Sequence, residues 1–166
     1  MLKLGLIGLG EVAQLIHLPI LQRLGELYRL AGAFDPSPSV AAAVAGRWSI
    51  ARILESAEAL IASPDIDAVL VLSPDAYHGR HARAALAAGK HVLIEKPCCL
   101  ALDDLAELAK VAAAHADRVA MVGYMRRFAP AFLEAKKRLP PKSDITYVRV
   151  RDVICEGPWY FRQTDS

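Results

Sequence analysis

Cysteine is scarce in this chain. Three occur among 166 residues, and two of them, Cys98 and Cys99, are neighbours. An odd count with adjacent members does not make a disulfide framework. None of the three has a histidine at metal-ligand spacing. Small apolar filler in a reducing cytoplasm is the expectation, and no metal site is. An excess of charge is lacking too: 20 Lys and Arg stand against 18 Asp and Glu, for a net +2. The basic residues are scattered apart from Arg126-Arg127 and Lys136-Lys137, which read as solvated helix faces. No nucleic-acid partner is therefore expected. No apolar run is long enough to span a bilayer, so no membrane is expected either. The start, MLKLGLIGLGEVAQLI, imitates a signal peptide, but Glu11 and Gln14 interrupt it too early. Internal repeats and low-complexity linkers are absent. What remains is 54% hydrophobic and 23% charged, the balance of a globular domain with a real core.

Apolar runs alternate with helical patterns. Strands are expected at 4–7, 30–34, 68–72, 92–94 and 119–122, with a weak edge strand at 48–51. Helices are expected at 11–24, kinked or restarted by Pro19, at 39–45, stopped by Gly46, and at 57–62. Further helices are expected at 76–88, capped by Asp75, at 102–115, with Asp103 and Asp104 in the first turn, and at 130–139. Strands that are continuously apolar and alternate with helices imply a parallel sheet covered on both faces. The expected fold is α/β, a doubly wound Rossmann sheet in the order 3-2-1-4-5-6. The composition breaks at Pro140-Pro141-Lys142-Ser143. Beyond it, residues 145–151 alternate in the manner of a strand with a wet face. The expected division is 1–140 as a dinucleotide-binding domain and 141–166 as the stub of a second, α+β domain. An unpaired strand at 145–154 would be disordered, packed back on the domain, or paired with another copy, which makes a homo-oligomer one expectation.

Residues 8–13, Gly-Leu-Gly-Glu-Val-Ala, fit G-x-G-x-x-A between a strand and a helix. Gly8 permits the tight turn, Gly10 leaves room for a pyrophosphate, and Ala13 lets the helix press on the sheet. Glu11 and Val12 begin that helix, whose free N–H groups would face the phosphates. Glu11 is expected to point to solvent. Asp35 ends the second strand at about the expected 20-residue distance from the glycines. It would accept hydrogen bonds from the adenosine ribose and repel a 2′-phosphate. No arginine follows in Pro36-Ser37-Pro38-Ser39, so NAD is preferred over NADP. The alternative for Asp35 is a plain turn or cap residue before Pro36.

In such a sheet the ligand lies beyond the carboxyl ends of the strands. Lys96, delivered by the strand 92–94 between Glu95 and Pro97, falls on that side. A lysine there can pass a proton while hydride moves between nicotinamide and a carbinol carbon. A solvated lysine at a strand end is the competing reading.

Four stretches now stand in order: Gly8-Leu-Gly-Glu-Val-Ala13, Ser73-Pro-Asp-Ala-Tyr-His78, Ala88-Gly-Lys-His-Val-Leu-Ile-Glu-Lys-Pro97 and Tyr124-Met-Arg-Arg-Phe-Ala-Pro130. Together they resemble the successive motifs of the glucose–fructose oxidoreductase / inositol dehydrogenase family (Gfo/Idh/MocA), over residues 1 to about 160. The resemblance implies an NAD(P)-dependent oxidoreductase acting on a hydroxyl of a sugar, cyclitol or related compound. It assigns proton handling to Lys96 and sets Glu95 and Pro97 beside the nicotinamide ribose. It puts Ser73, Pro74 and His78 along the cofactor cleft, and Tyr124 and Arg127 towards the substrate. His78 reads equally as a core or capping histidine, and Arg127 as a brace at a domain junction. His17, His81, His91 and His115 read as structural or exposed.

The family is about twice this length, and its second domain carries an Asp-x-x-x-His pair facing the lysine. No histidine follows His115 here, and Gly157–Ser166 stops short of that segment. The chain is expected to be the cofactor domain of a truncated dehydrogenase, inactive alone. The alternative is a stand-alone NAD-binding module, a sensor or a subunit without catalysis.

Overall fold

A computed structural model describes residues 1–151. The expectations for 152–154, for Cys155 and for 157–166 lie outside the described residues. Five parallel strands form one sheet: β1 (Leu2–Ile7), β2 (Tyr28–Phe34), β3 (Ala68–Val71), β4 (His91–Ile94) and β5 (Ala120–Val122). Their order is β2-β1-β3-β4-β5. The class is the expected doubly wound Rossmann type, but the order is one strand shorter. Residues 48–51, expected as that edge strand, close a helix and turn instead. Only an isolated parallel bridge, Ala33 to Ile53, marks the outer position.

Each helix has a local cause. The segment after the glycine turn opens as a π turn, Ala13–His17, and continues as α1, Leu18–Arg23. Pro19 has no N–H to give and its ring crowds the carbonyl four residues back. The π turn takes up the misfit: Leu18 N–H reaches Ala13 O, five residues back. Helix α2 (Pro38–Trp48) starts where the Ser37 hydroxyl accepts Val40 N–H. Gly46 does not stop it. Ser49 does, in the left-handed conformation at φ 53°. Helix α3 (Ala57–Ala62) has the same device at Ser56. Asp75 caps nothing with its side chain. It opens a 3-10 turn, Asp75–Tyr77, that leads into α4 (His78–Ala87). Helix α5 (Leu102–Ala114) carries Asp103 and Asp104 in its first turn. Helix α6 (Pro130–Arg138) buries no residue.

The core has two halves, one per face of the sheet. Ile7, Val69, Val71, Val92 and Ile94 pack with Leu60, Ala82, Leu86 and Leu108 from α3, α4 and α5. Leu4, Leu6, Ala68, Leu70 and Leu72 face Leu18, Ala41 and Val44 from α1 and α2. Alternation along each strand sends neighbouring residues to opposite halves, as a sheet covered on both faces requires. Among the described residues, no further helix covers this face past α1 towards β4 and β5. There Ile20, Leu24, Leu70, Leu93 and Met121 line an apolar groove of about 450 Å³.

Residues 145–151 form no strand. Tyr147, Val148 and Val150 are exposed, so this segment is not packed back on the domain. A β ladder needs a partner, and no neighbouring strand is present among the described residues.

Candidate cofactor site

Backbone bonds carry the ladder past the ends of the strands. Gly8 N–H reaches Phe34 O at 2.8 Å, Leu72 N–H reaches Ile7 O at 2.8 Å, and Glu95 N–H reaches Val71 O at 3.0 Å. Gly123 N–H reaches Ile94 O at 2.8 Å. These bonds align the turn at Gly8, the turn at Asp35, Ser73-Pro74, Glu95-Lys96-Pro97 and Gly123-Tyr124 in one row along the carboxyl edge. Part of that row encloses a groove of about 530 Å³. Gly8, Gly10, Glu11 and Val12 line it from one side, Asp35 and Pro36 from another, and Ser73 and Pro74 from the third.

The two glycines do different work. Gly8 has φ +95°, and a Cβ there would lie 2.6 Å from Leu72 O and 2.8 Å from Ser73 N. The turn needs glycine to pass the end of β3 at all. A Cβ on Gly10 would meet nothing within 4 Å. That side of the turn opens into the groove that Gly10 lines. Ala13 is buried in the core beneath the turn and presses the helix onto the sheet.

Asp35 has the turn role that the sequence left open for it. Its Oδ2 accepts Leu9 N–H and its Oδ1 accepts Ser37 N–H, each at 2.9 Å. It therefore fixes the glycine turn and its own turn. A carboxylate offers about four acceptor positions, so Asp35 retains capacity towards the groove that it lines. Glu11 does not point to solvent. Its Oε1 is shielded from water with no hydrogen-bond partner among the described residues. An orphaned acceptor in this wall fits a ligand bearing hydroxyl donors, such as a ribose, better than it fits a bare anion.

Ser73 is buried, and its hydroxyl meets His81 Nδ1 at 3.0 Å. His81 also lines the groove and stacks on Tyr77 with ring centroids 5.9 Å apart. Burial, and then the charge of Arg80, lower its pKa from the ordinary 6.5. The ring is neutral at neutral pH, and Nδ1 can accept the Ser73 proton. His81 was expected to be structural or exposed; it is buried and lines the groove. The signal was its spacing of three from His78, which puts both on one side of α4. His78 lies beneath the groove and outside its wall, only 1% exposed, with both ring nitrogens bonded to backbone carbonyls.

Glu95, Lys96 and Pro97 stand at the next strand end, beside the groove but not in its wall. The Lys96–Pro97 bond is cis. Lys96 is exposed, and its Nζ has no partner among the described residues. Tyr124 follows β5, 54% exposed, in the same row. Arg127 is exposed in the 3-10 turn Met125–Phe128, its guanidinium over the Phe128 ring at 5.5 Å. Cys98 and Cys99 pack against the α4 face of the core. Burial, with Cys99 beside it, pushes the Cys98 thiol up to about 11. It stays a thiol, as apolar filler would. No group of three or more potential metal ligands occurs among the described residues.

A glycine turn at a helix start, an acid at the end of the second strand and an open groove between them define a dinucleotide-binding domain of Rossmann type. The chain belongs to the Gfo/Idh/MocA oxidoreductase family: the family's NAD-binding Rossmann domain matches residues 2–124. It is 36% identical over 140 residues to the inositol 2-dehydrogenase of Acidothermus cellulolyticus, covering 82% of this chain and 40% of that protein. It is 33% identical over 105 residues to the scyllo-inositol 2-dehydrogenase (NAD(+)) of Bacillus subtilis, covering 63% of this chain and 30% of the relative. The crystal structure of scyllo-inositol dehydrogenase from Lactobacillus casei, with bound NAD(H) and scyllo-inositol, superposes with a TM-score of 0.77 at 30% identity. It too is matched over 82% of this chain and 40% of its own. The chain thus spans about two-fifths of the length of the relatives it matches most fully.

Proposed function

We propose that this chain is the cofactor half of an NAD-dependent dehydrogenase that oxidises a secondary alcohol of a cyclitol, sugar or related polyol. The observation that carries the reading is the row of strand ends. The open side of Gly10 and the Asp35 carboxylate share one groove, and a lysine amine with no partner among the described residues stands at the adjacent strand end. Gly8, Gly10 and Val12 would take the diphosphate end, with Ala13 behind them, and the Glu11 carboxylate would accept a ribose hydroxyl beside it. Asp35 would take the adenosine ribose, and Ser73 and Pro74 the wall opposite. Pro97 and the backbone at Glu95 would border the nicotinamide end. When bound, the dinucleotide supplies the hydride acceptor. Lys96 Nζ, without an ionic partner among the described residues, would receive the hydroxyl proton of the alcohol and return it in the reverse direction. Tyr124 and Arg127 stand on the substrate side of that amine.

NAD is preferred over NADP because a 2′-phosphate would meet the Asp35 carboxylate, and no arginine in 36–39 is at hand to pair with it. Inositol is the substrate named for the relatives, and a polyol of that kind is the substrate class we assign here. Residues 1–140 form the cofactor domain in this reading. Residues from 141 open the substrate domain, through which copies of the protein would also pair. No helix among the described residues is long and apolar enough to cross a membrane, and the thiols of Cys98 and Cys99 are in keeping with a cytoplasmic setting.

The test is a fluorescence titration with NADH and NADPH, followed by NAD⁺ reduction over a panel of inositols and aldoses. NADH should bind at least about tenfold more tightly than NADPH. Lys96→Ala should keep NADH affinity and abolish turnover in any full-length form. No NADH binding would refute the assignment. Binding with no turnover of any polyol would leave a cofactor module without catalysis.

A further inference from the structure

Lys96 carries the proposed chemistry, yet its own side chain is held by nothing among the described residues. Its neighbours are held firmly. Glu95 Oε2 accepts the Lys96 backbone N–H at 3.0 Å. Glu95 Oε1 lies 2.8 Å from His17 Nε2, in a pair whose side chains are only 16% (His17) and 12% (Glu95) exposed. His17 closes the π turn of the helix that begins at the glycine loop. Strand alternation puts Glu95 on the α1 face with His91 and Leu93, which line the groove beside His17.

The other neighbour is held from the opposite face. His78, the first residue of α4, places Nδ1 2.6 Å from Pro97 O and Nε2 2.6 Å from Ser73 O. A carbonyl oxygen only accepts. Two such partners require a proton on both ring nitrogens, which only the imidazolium form supplies. A neutral ring would set a lone pair against one of the two oxygens, buried and unsatisfied. One ring therefore ties the end of β4 to Ser73 in the groove wall.

We propose that His17 and His78 are positioning residues for Lys96: from opposite faces of the sheet they fix Glu95 and Pro97, and His78 does so as a charged double donor. The proposal rests on Lys96 being the proton carrier. Together the two rings hold the amine-bearing strand end at a set distance from the glycine helix on one side and the groove wall on the other. Small displacements of such a group cost rate out of proportion to stability.

Ring-nitrogen NMR on this chain, with ¹⁵N-labelled histidine at neutral pH, tests the double donor. His78 should show two ring N–H protons and His81 one. A single N–H on His78 overturns that part. In NAD⁺-dependent polyol oxidation, His17→Ala and His78→Ala should each lower kcat about tenfold, with KM for NAD⁺ kept within about threefold. His17→Gln, which keeps an N–H near the Nε2 position, should restore most of the rate. His78→Gln, whose single amide nitrogen cannot occupy both ring-nitrogen positions, replaces His78→Ala where the latter does not fold. Unchanged kcat in these variants overturns the positioning role. Turnover retained in Lys96→Ala would show instead that the proton-carrier reading has failed. If the chain binds NADH without turnover, hydrogen exchange at the Lys96 amide decides. Exchange about tenfold faster in the variants at unchanged NADH affinity supports the clamp, and unchanged exchange refutes it.

Discussion

Substituting alanine at Gly8 and at Gly10 should break this protein in two different ways. At Gly8 the added Cβ would sit 2.6 Å from Leu72 O, 2.7 Å from Leu72 C and 2.8 Å from Ser73 N, all backbone atoms of the turn after β3. None can swing aside as a side chain could. The φ of +95° adds the left-handed penalty of about 1–2 kcal/mol for a residue with a Cβ. With displacement of the β3 turn included, Gly8→Ala should cost about 2–4 kcal/mol of folding stability. Gly10 has no positive φ and no atom within 4 Å of the new methyl. Gly10→Ala should therefore leave stability within about 1 kcal/mol of the parent. The methyl would occupy the space assigned to the diphosphate, and NADH affinity should fall at least about tenfold, which is about 1.4 kcal/mol. Urea unfolding and NADH fluorescence titration on the same preparations separate the two effects. Gly10→Ala binding NADH as tightly as the parent would mean that the diphosphate does not lie over this turn. Gly8→Ala unfolding at the parental urea concentration would refute the packing argument itself.

Two other perturbations reach different walls of the groove. Asp35→Ala removes the acceptor for Leu9 N–H and Ser37 N–H together with the proposed ribose contact. It should cost about 1–2 kcal/mol in urea unfolding and narrow the NADH-over-NADPH preference, and an unchanged preference would refute the role of Asp35 in cofactor choice. His81 has a folded-state pKa below its unfolded value of 6.5, so the unfolded chain binds the proton first. Its contribution to stability is complete above pH about 6.5 and is lost as pH falls towards the lowered folded value, so urea midpoints should decline across that range. His81→Gln should flatten that decline, and an unchanged slope would refute the assignment.

The sheet was legible because its strands are short apolar runs closed by Gly8, Asp35, Ser73-Pro74 and Glu95, residues that end strands for local reasons. The outer strand was not. Residues 48–51 have some β character, but Ser49 can take the left-handed conformation that ends α2, and that local outcome removed the strand. Gly46 failed as a stop for the converse reason: its helix continues to Trp48, and a Cβ there would meet nothing, so no contact enforces a break at that position.

The site divides along the same line. Gly8, Gly10 and Asp35 were readable because a short local pattern, a glycine turn after one strand and an acid closing the next, marks their places, although Leu72 crowds Gly8 and Leu9 N–H bonds Asp35. Histidines 17, 78 and 81 were not, because their partners lie elsewhere: Glu95 for His17, Pro97 O and Ser73 O for His78, the Ser73 hydroxyl for His81. Sequence shows a histidine on a helix but not what the sheet brings opposite it. The consequence is chemical. On the proposed function, the local motifs would specify where a dinucleotide fits, whereas the long-range pairs would set where the amine of Lys96 can stand. Binding and proton transfer should therefore respond to different mutations, with variants of the first group read in affinity and variants of the second in kcat.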